Sequence, residues 1–261
     1  MSVTERQSTH CHTKVYSYPC GVVDIITSSN ADFRIGGPLP KKRAPRAHEG
    51  PDKADKDKGK AKTPPKAENL TRAVNRARAN VRRLALANEF AYFVTLTLDQ
   101  RQVDRHDMAA ITKKLNNWLS NQVRRRGLRY IIVPERHKDG AIHFHGFFND
   151  ALPVVDSGHK DDQGHPVYNL PSWTLGFTTA IRLYGDYPQA VAYVCKYIGK
   201  QGEKPGGRWY YSGGDLVEPE VSYGDLSVDE LHELGVDNLW KYTVPGREIA
   251  GANGIRTEDL K

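Results

Sequence analysis

Two histidines separated by one residue, His143 and His145, close a segment, residues 135–145, that opens on the carboxylate Glu135. In a β-strand, side chains two apart share a face, so both imidazoles point one way and Phe144 points the other. Two imidazoles on one rigid face are half of a metal site. Asp139-Gly140 is a strong hairpin signal, and folding there brings Glu135 back alongside His143 as a third ligand that leaves coordination positions open. A mixed oxygen and nitrogen donor set of this kind suits Mg2+ or Mn2+, with zinc chemically admissible. An isolated pair of this type is more often two ordinary surface histidines. Glu135 and a second motif argue against that here.

The second motif is YVCKYIGK, residues 193–200. On a helix, positions i and i+4 are neighbours, so Tyr193 and Tyr197 form one row and Lys196 and Lys200 an adjacent one. Paired aromatics at this spacing are usually core residues. The doubled YxxK pattern instead suggests phenols for attack on a phosphate, with lysines to hold it or to order a metal's waters. A phenol with a pKa of about 10 is a weak nucleophile until its anion is stabilised, and neighbouring positive charge does that. Cys195, between them, reads as a small packing residue.

Together with the strand FVTLTL, residues 93–98, these motifs stand in the order found in HUH endonucleases. The chain resembles in particular the rolling-circle replication initiators of small phages and plasmids, over residues 67–216. The resemblance implies an RNA-recognition-motif-like sheet with flanking helices. It implies a divalent metal held by Glu135, His143 and His145, and tyrosine attack on single-stranded origin DNA that leaves a 5′-phosphotyrosine and a free 3′-hydroxyl primer. Two tyrosines one turn apart would let one hold DNA while the other cleaves again, and a later transfer would rejoin the strand. No Walker P-loop follows, so strand separation and synthesis fall to a host helicase and polymerase, and no small-molecule cofactor is expected. An HUH transposase or mobilisation relaxase would use the same chemistry. A noncatalytic single-stranded-DNA-binding regulator would instead use the sheet as a platform with Trp173, Tyr210 and Tyr211 as stacking residues. Those three aromatics read better as packing.

A net charge of +7 on 261 residues favours a polyanionic partner, without naming one. Three cysteines, Cys11, Cys20 and Cys195, are too few for a disulfide framework and suit a reducing cytoplasm. His10, Cys11, His12 and Cys20 match no common zinc spacing. No apolar run reaches membrane length, and the polar start lacks the apolar core of a signal peptide.

The elements that must position the motifs form an α+β plan with a mostly antiparallel sheet. Residues 68–87 spell an amphipathic basic helix whose Arg76, Arg82 and Arg83 either contact DNA phosphates or form a solvated face. In the strand that follows, Val94, Leu96 and Leu98 face one layer, and Thr95 and Thr97, candidate DNA-binding positions, face the other. Asp107 caps a helix with Ile111, Leu115, Trp118, Leu119 and Val123 as its buried stripe and Gly127 as its stop. Two strands around the Asp139-Gly140 turn, a further strand, the motif-three helix from near Tyr187 and a last short strand complete a domain assigned to residues 67–221. Residues 1–35 offer a short strand or two of uncertain role, and residues 36–66, rich in Lys, Pro and Asp, read as a disordered basic linker. Residues 222–261 read as a tail with one helix, marked by a capping box at Ser227.

Overall fold

The structure, a computed structural model, describes residues 9–35, 67–200, 202, 204–234 and 239–259; the linker expected over 36–66 lies outside them. The N-terminal segment forms β1 (Thr9–Cys11), β2 (Thr13–Ser17), β3 (Val22–Ser28) and β4 (Phe33–Ile35). Helix α1 (Ala67–Asn88), β5 (Tyr92–Thr97) and helix α2 (Met108–Arg126) follow, then β6 (Tyr130–Arg136), β7 (Ile142–Phe148), β8 (Val155–Lys160), β9 (Pro166–Asn169) and β10 (Thr178–Arg182). Helix α3 (Tyr187–Cys195) leads through a short 3-10 turn (Pro205–Gly207) to β11 (Tyr211–Gly213). The C-terminal part holds β12 (Glu220–Gly224), α4 (Val228–Glu233), β13 (Leu239–Val244) and β14 (Arg247–Arg256), closed by another 3-10 turn (Thr257–Asp259).

Seven strands make the central sheet, in the order β11-β6-β7-β5-β10-β9-β8 and antiparallel throughout. The expected α+β class and antiparallel sheet are what the chain adopts. Alternation along β5 buries Val94, Leu96 and then Leu98 against α2, whose Ile111, Leu115, Trp118 and Leu119 face them. The Asp107 carboxylate accepts from the backbone N–H of Ala109 and Ala110, and Gly127 ends the helix at φ 68°. Both caps follow the sequence expectation. No helix among the described residues is long and apolar enough to cross a membrane.

Helix α1 is covered from two sides. Val81, Ala85 and Leu86 pack with Ile131, Val133 and Phe147 of the central sheet and with Val191 and Val194 of α3, while Tyr16, Tyr18 and Val22 join from a second sheet. That sheet, β12-β2-β3-β14-β13, is built from both ends of the described chain. The segment expected to give a strand or two forms four, β2 and β3 in this sheet and β1 and β4 paired with each other, and β12, β13 and β14 come from the part expected as a tail with a single helix. Composition hides β14, REIAGANGIR, because glycine and alanine are poor strand formers. Gly251 is needed there: a Cβ would stand 2.3 Å from the Trp240 ring of β13 and 2.6 Å from the Ile25 carbonyl. The Ser227 capping box does form, with Glu230 as its partner.

Arg82 departs from both readings made of the α1 arginines. Arg82 forms a bidentate pair with Asp24 at 3.1 and 3.2 Å, and Asp24 also accepts from Tyr18 Oη and Gly254 N. With side-chain exposures of 18% and 4%, this pair joins the layers rather than facing DNA. Arg83 lies over the Tyr16 ring at 4.6 Å, and of the three only Arg76 is exposed, as either reading allows. Removing one partner of a buried pair strands the other charge, so Arg82→Met should cost about 3 kcal/mol, read as a lowered urea midpoint. An unchanged midpoint would mean that Tyr18 and Gly254 satisfy Asp24 by themselves.

Candidate active site

Register brings the motifs together. In the β6–β7 hairpin Glu135 stands opposite His143, and across β5 Thr97 stands opposite His143 and Thr95 opposite His145. The Asp139-Gly140 turn forms as expected, with Gly140 at φ 87° and the Asp139 carboxylate accepting from Ala141 N at 3.0 Å. All these side chains lie on the face away from α2.

Glu135 is the hub of the cluster. Its Oε2 is 2.9 Å from His145 Nε2, and its Oε1 accepts from Lys200 Nζ at 2.7 Å. His145 Nε2 faces Glu135 Oε2 at ion-pair distance but outside good hydrogen-bond geometry, so a buried ring nitrogen sits against a carboxylate oxygen. Thr95 and Thr97, read as DNA-binding positions, instead reach His145 Nδ1 at 3.1 Å and His143 Nδ1 at 3.2 Å. If each Nδ1 carries the proton and donates to its threonine, both Nε2 lone pairs are left free, the state that binds a cation. Burial lowers the pKa of both imidazoles; at His143 the neighbouring His137 and His145 add to this, and at His145 Glu135 opposes it. His143 does not join Glu135 and His145. Its ring stacks on His137 with centroids 4.0 Å apart, and among the described residues no three His, Cys, Asp or Glu side chains form a ready ligand group.

The motif-three residues do not lie on one continuous helix. Helix α3 ends at Cys195, and Lys196, Tyr197 and Ile198 bond back to the carbonyls three residues earlier. Helix α1 imposes this break. Arg78 donates to the Ile198 carbonyl from Nε at 3.2 Å and Nη2 at 2.9 Å, and a Cβ on Gly199, at φ 74°, would come within 2.6 Å of Val74. The phenols stay together all the same. Tyr197 Oη donates to Tyr193 Oη at 2.7 Å, the Tyr197 ring stacks on His145 at 4.4 Å, and the Tyr193 ring meets Phe93 edge-on at 5.9 Å. Tyr193 is 49% exposed.

Lys196 lies 5.9 Å from the Tyr193 ring and Lys200 5.5 Å from the Tyr197 ring. They do not form a free basic row, since Lys200 is engaged by Glu135, which raises its pKa. Burial, and then the hydrogen bond to Tyr193, pushes the Tyr197 phenol well above its ordinary value, so it needs added positive charge to ionise. Cys195 is packed as expected, its thiol pushed up to about 11 by burial. Trp173 and Tyr211 belong to the α2-side core and Tyr210 packs against the α1-side core, so none of the three is a free stacking platform.

Sequence reasoning missed Arg78 and His137. Position 137 shares the strand parity of Glu135, a signal that was legible. Nothing in the sequence links Arg78 to Ile198.

The site thus sets Glu135, His143 and His145 on one face of an antiparallel sheet, with Tyr193 and Tyr197 against it. Residues 91–202, which hold every one of those site residues, match the ORF2 family of replication-associated proteins, consistent with a rolling-circle replication initiator. No curated protein and no solved structure matches the chain.

Proposed function

We propose that the protein starts rolling-circle replication by nicking single-stranded origin DNA through a tyrosine. The observation carrying this reading is the convergence of two distant segments, residues 135–145 and 193–200, in which Glu135, His145, Tyr197, Tyr193 and Lys200 form one connected cluster. The donor set fits a divalent ion: a buried imidazole nitrogen 2.9 Å from a carboxylate oxygen, and imidazoles whose pKa burial lowers, which favours the neutral, metal-binding form. Glu135, His143 and His145 would hold Mg2+ or Mn2+ once His143 leaves its stack with His137. When bound, the ion neutralises charge on the attacked phosphate.

The chain's own groups do the rest. Tyr197 Oη bonds to phosphorus as the bond to the 3′ oxygen breaks, leaving a 5′-phosphotyrosine and a 3′ oxygen that takes a proton from water. The phenol proton leaves along the existing hydrogen bond to Tyr193 and on to solvent. Lys196 and Lys200 hold the phosphate, Lys200 on release from Glu135. Tyr193 is placed to take the second transfer, and attack by the 3′-hydroxyl on the phosphotyrosine rejoins the strand. Helicase and polymerase functions come from the host.

The test is incubation with labelled oligonucleotides tiling single-stranded DNA of the protein's own replicon, with Mn2+. A covalent adduct on a denaturing gel, lost with chelator, is the expected result; no adduct from any tile would sink the reading.

A further inference from the structure

The face that carries the candidate site continues beyond β5, where no helix among the described residues covers it. Helices α1 and α3 cover this face as far as Phe147 and Phe93, while the reverse face is filled by α2 and Trp173. On the uncovered stretch Phe177, just ahead of β10, is 65% exposed, the largest exposure among the large apolar side chains described. Its position follows from register. Phe177 and Thr97 exchange both backbone hydrogen bonds, at 2.9 and 3.1 Å, and so stand directly opposite one another. Thr97 pairs with His143, and His143 with Glu135. Glu135, His143, Thr97 and Phe177 therefore form one row across four strands, with Phe177 two strands, about 10 Å, from His143.

The backbone carrying this ring is held firmly. A Cβ on Gly176 would meet the Thr97 carbonyl at 2.2 Å and Asp99 N at 2.6 Å, so the close approach requires glycine. Trp173 Nε1 donates to the same Thr97 carbonyl at 3.1 Å. Thr179, two positions on along the same face, is exposed and polar, and Thr174, three residues earlier in the chain, is exposed as well, so among the described residues this segment offers no broad apolar patch. A protein partner would need a larger and more continuous surface. One flat ring, rigidly presented beside a phosphate-attacking site, suits one unpaired base.

We propose that Phe177 is a stacking platform for a nucleobase flanking the attacked phosphate, which fixes where the strand lies relative to the tyrosines. This rests on the nicking activity proposed above and names a contact within it. Stacking on a ring is sequence-tolerant and involves no phosphate, so its loss should raise KM for a short oligonucleotide about 10-fold, leave kcat near wild type and leave the salt slope of binding unchanged.

The experiment places 2-aminopurine in turn at each position flanking the mapped nick and compares the wild-type protein with Phe177→Ala and Phe177→Trp. Wild type should quench the fluorescence strongly at one position, Phe177→Ala should lose that quench and show the KM effect, and Phe177→Trp should restore both. Thermal melting checks that each variant is folded. Adduct formation with an unchanged quench pattern and KM in Phe177→Ala would overturn the inference and leave the nicking activity standing. So would a change of oligomeric state in Phe177→Ala on size-exclusion chromatography, which would assign the ring to a second copy of the chain. If wild-type protein forms no adduct, the proposed function fails, and this contact fails with it.

Discussion

Replacing His143 and His145 together by alanine should lower the rate of adduct formation by at least about 10^3-fold, because loss of one preorganised electrostatic contact commonly costs about 10^2–10^3-fold. Thermal stability should fall only modestly, since His145 is largely buried and stacks on Tyr197 at the border of the α1-side core that Val133 and Phe147 form on the same face, while His143 lies at that core's edge beside His137. Glu135→Gln should give a loss of the same order, and it should also free Lys200, whose ammonium now rests on Glu135 Oε1. A Mn2+ titration of adduct yield separates the effects: lost ligands shift the titration or abolish it, whereas a merely structural defect lowers yield at every concentration. Full nicking by the double alanine variant with chelator present would end the metal assignment.

The second large effect concerns the phenols. Tyr193→Phe with Tyr197→Phe should eliminate the adduct, since phenylalanine keeps the ring and its packing but has no attacking oxygen. The single variants should differ. Tyr197 stacks on His145 and donates to Tyr193, so Tyr197→Phe should reduce first cleavage most. Tyr193→Phe should keep first cleavage and lose the second transfer, and it removes one of the contacts that raise the Tyr197 pKa. Mass spectrometry of the nucleotide-linked peptide assigns the oxygen. An adduct mapped outside residues 193 and 197, or persisting in the double variant, would refute the motif-three assignment.

The parts of this site that were legible in the sequence are those set by local periodicity. The parity of two along β7 put His143 and His145 on one face, the Asp139-Gly140 turn returned Glu135 beside them, and i, i+4 spacing paired the tyrosines. What stayed hidden depends on distant chain. The helix break after Cys195 is set by Arg78 and Val74, more than a hundred residues earlier. The inward turn of Arg82 depends on Asp24, which no periodicity within α1 reveals. The second sheet was missed for the same reason: β3 pairs with β14, whose glycines and alanines carry no strand signal of their own.

That pairing also sets an order of events on the ribosome. Roughly 200 residues separate β3 from β14, so at about 5–20 residues per second the nascent chain waits about 10–40 s before β3 gains its second neighbour. Meanwhile α1, β5–β7 and α3 are all synthesised, and the segment bearing the two tyrosines can close on one side of α1. The β2–β3 hairpin can pack on the other side of α1 through Tyr16, Tyr18 and Val22, but its sheet is completed only by the C-terminal strands. During that interval the β2–β3 hairpin has an open edge bearing Val23 and Ile25, the kind of surface that invites strand addition by another chain. The Asp24–Arg82 pair can fix the hairpin against α1, but that edge of β3 stays unpaired until β14 is made.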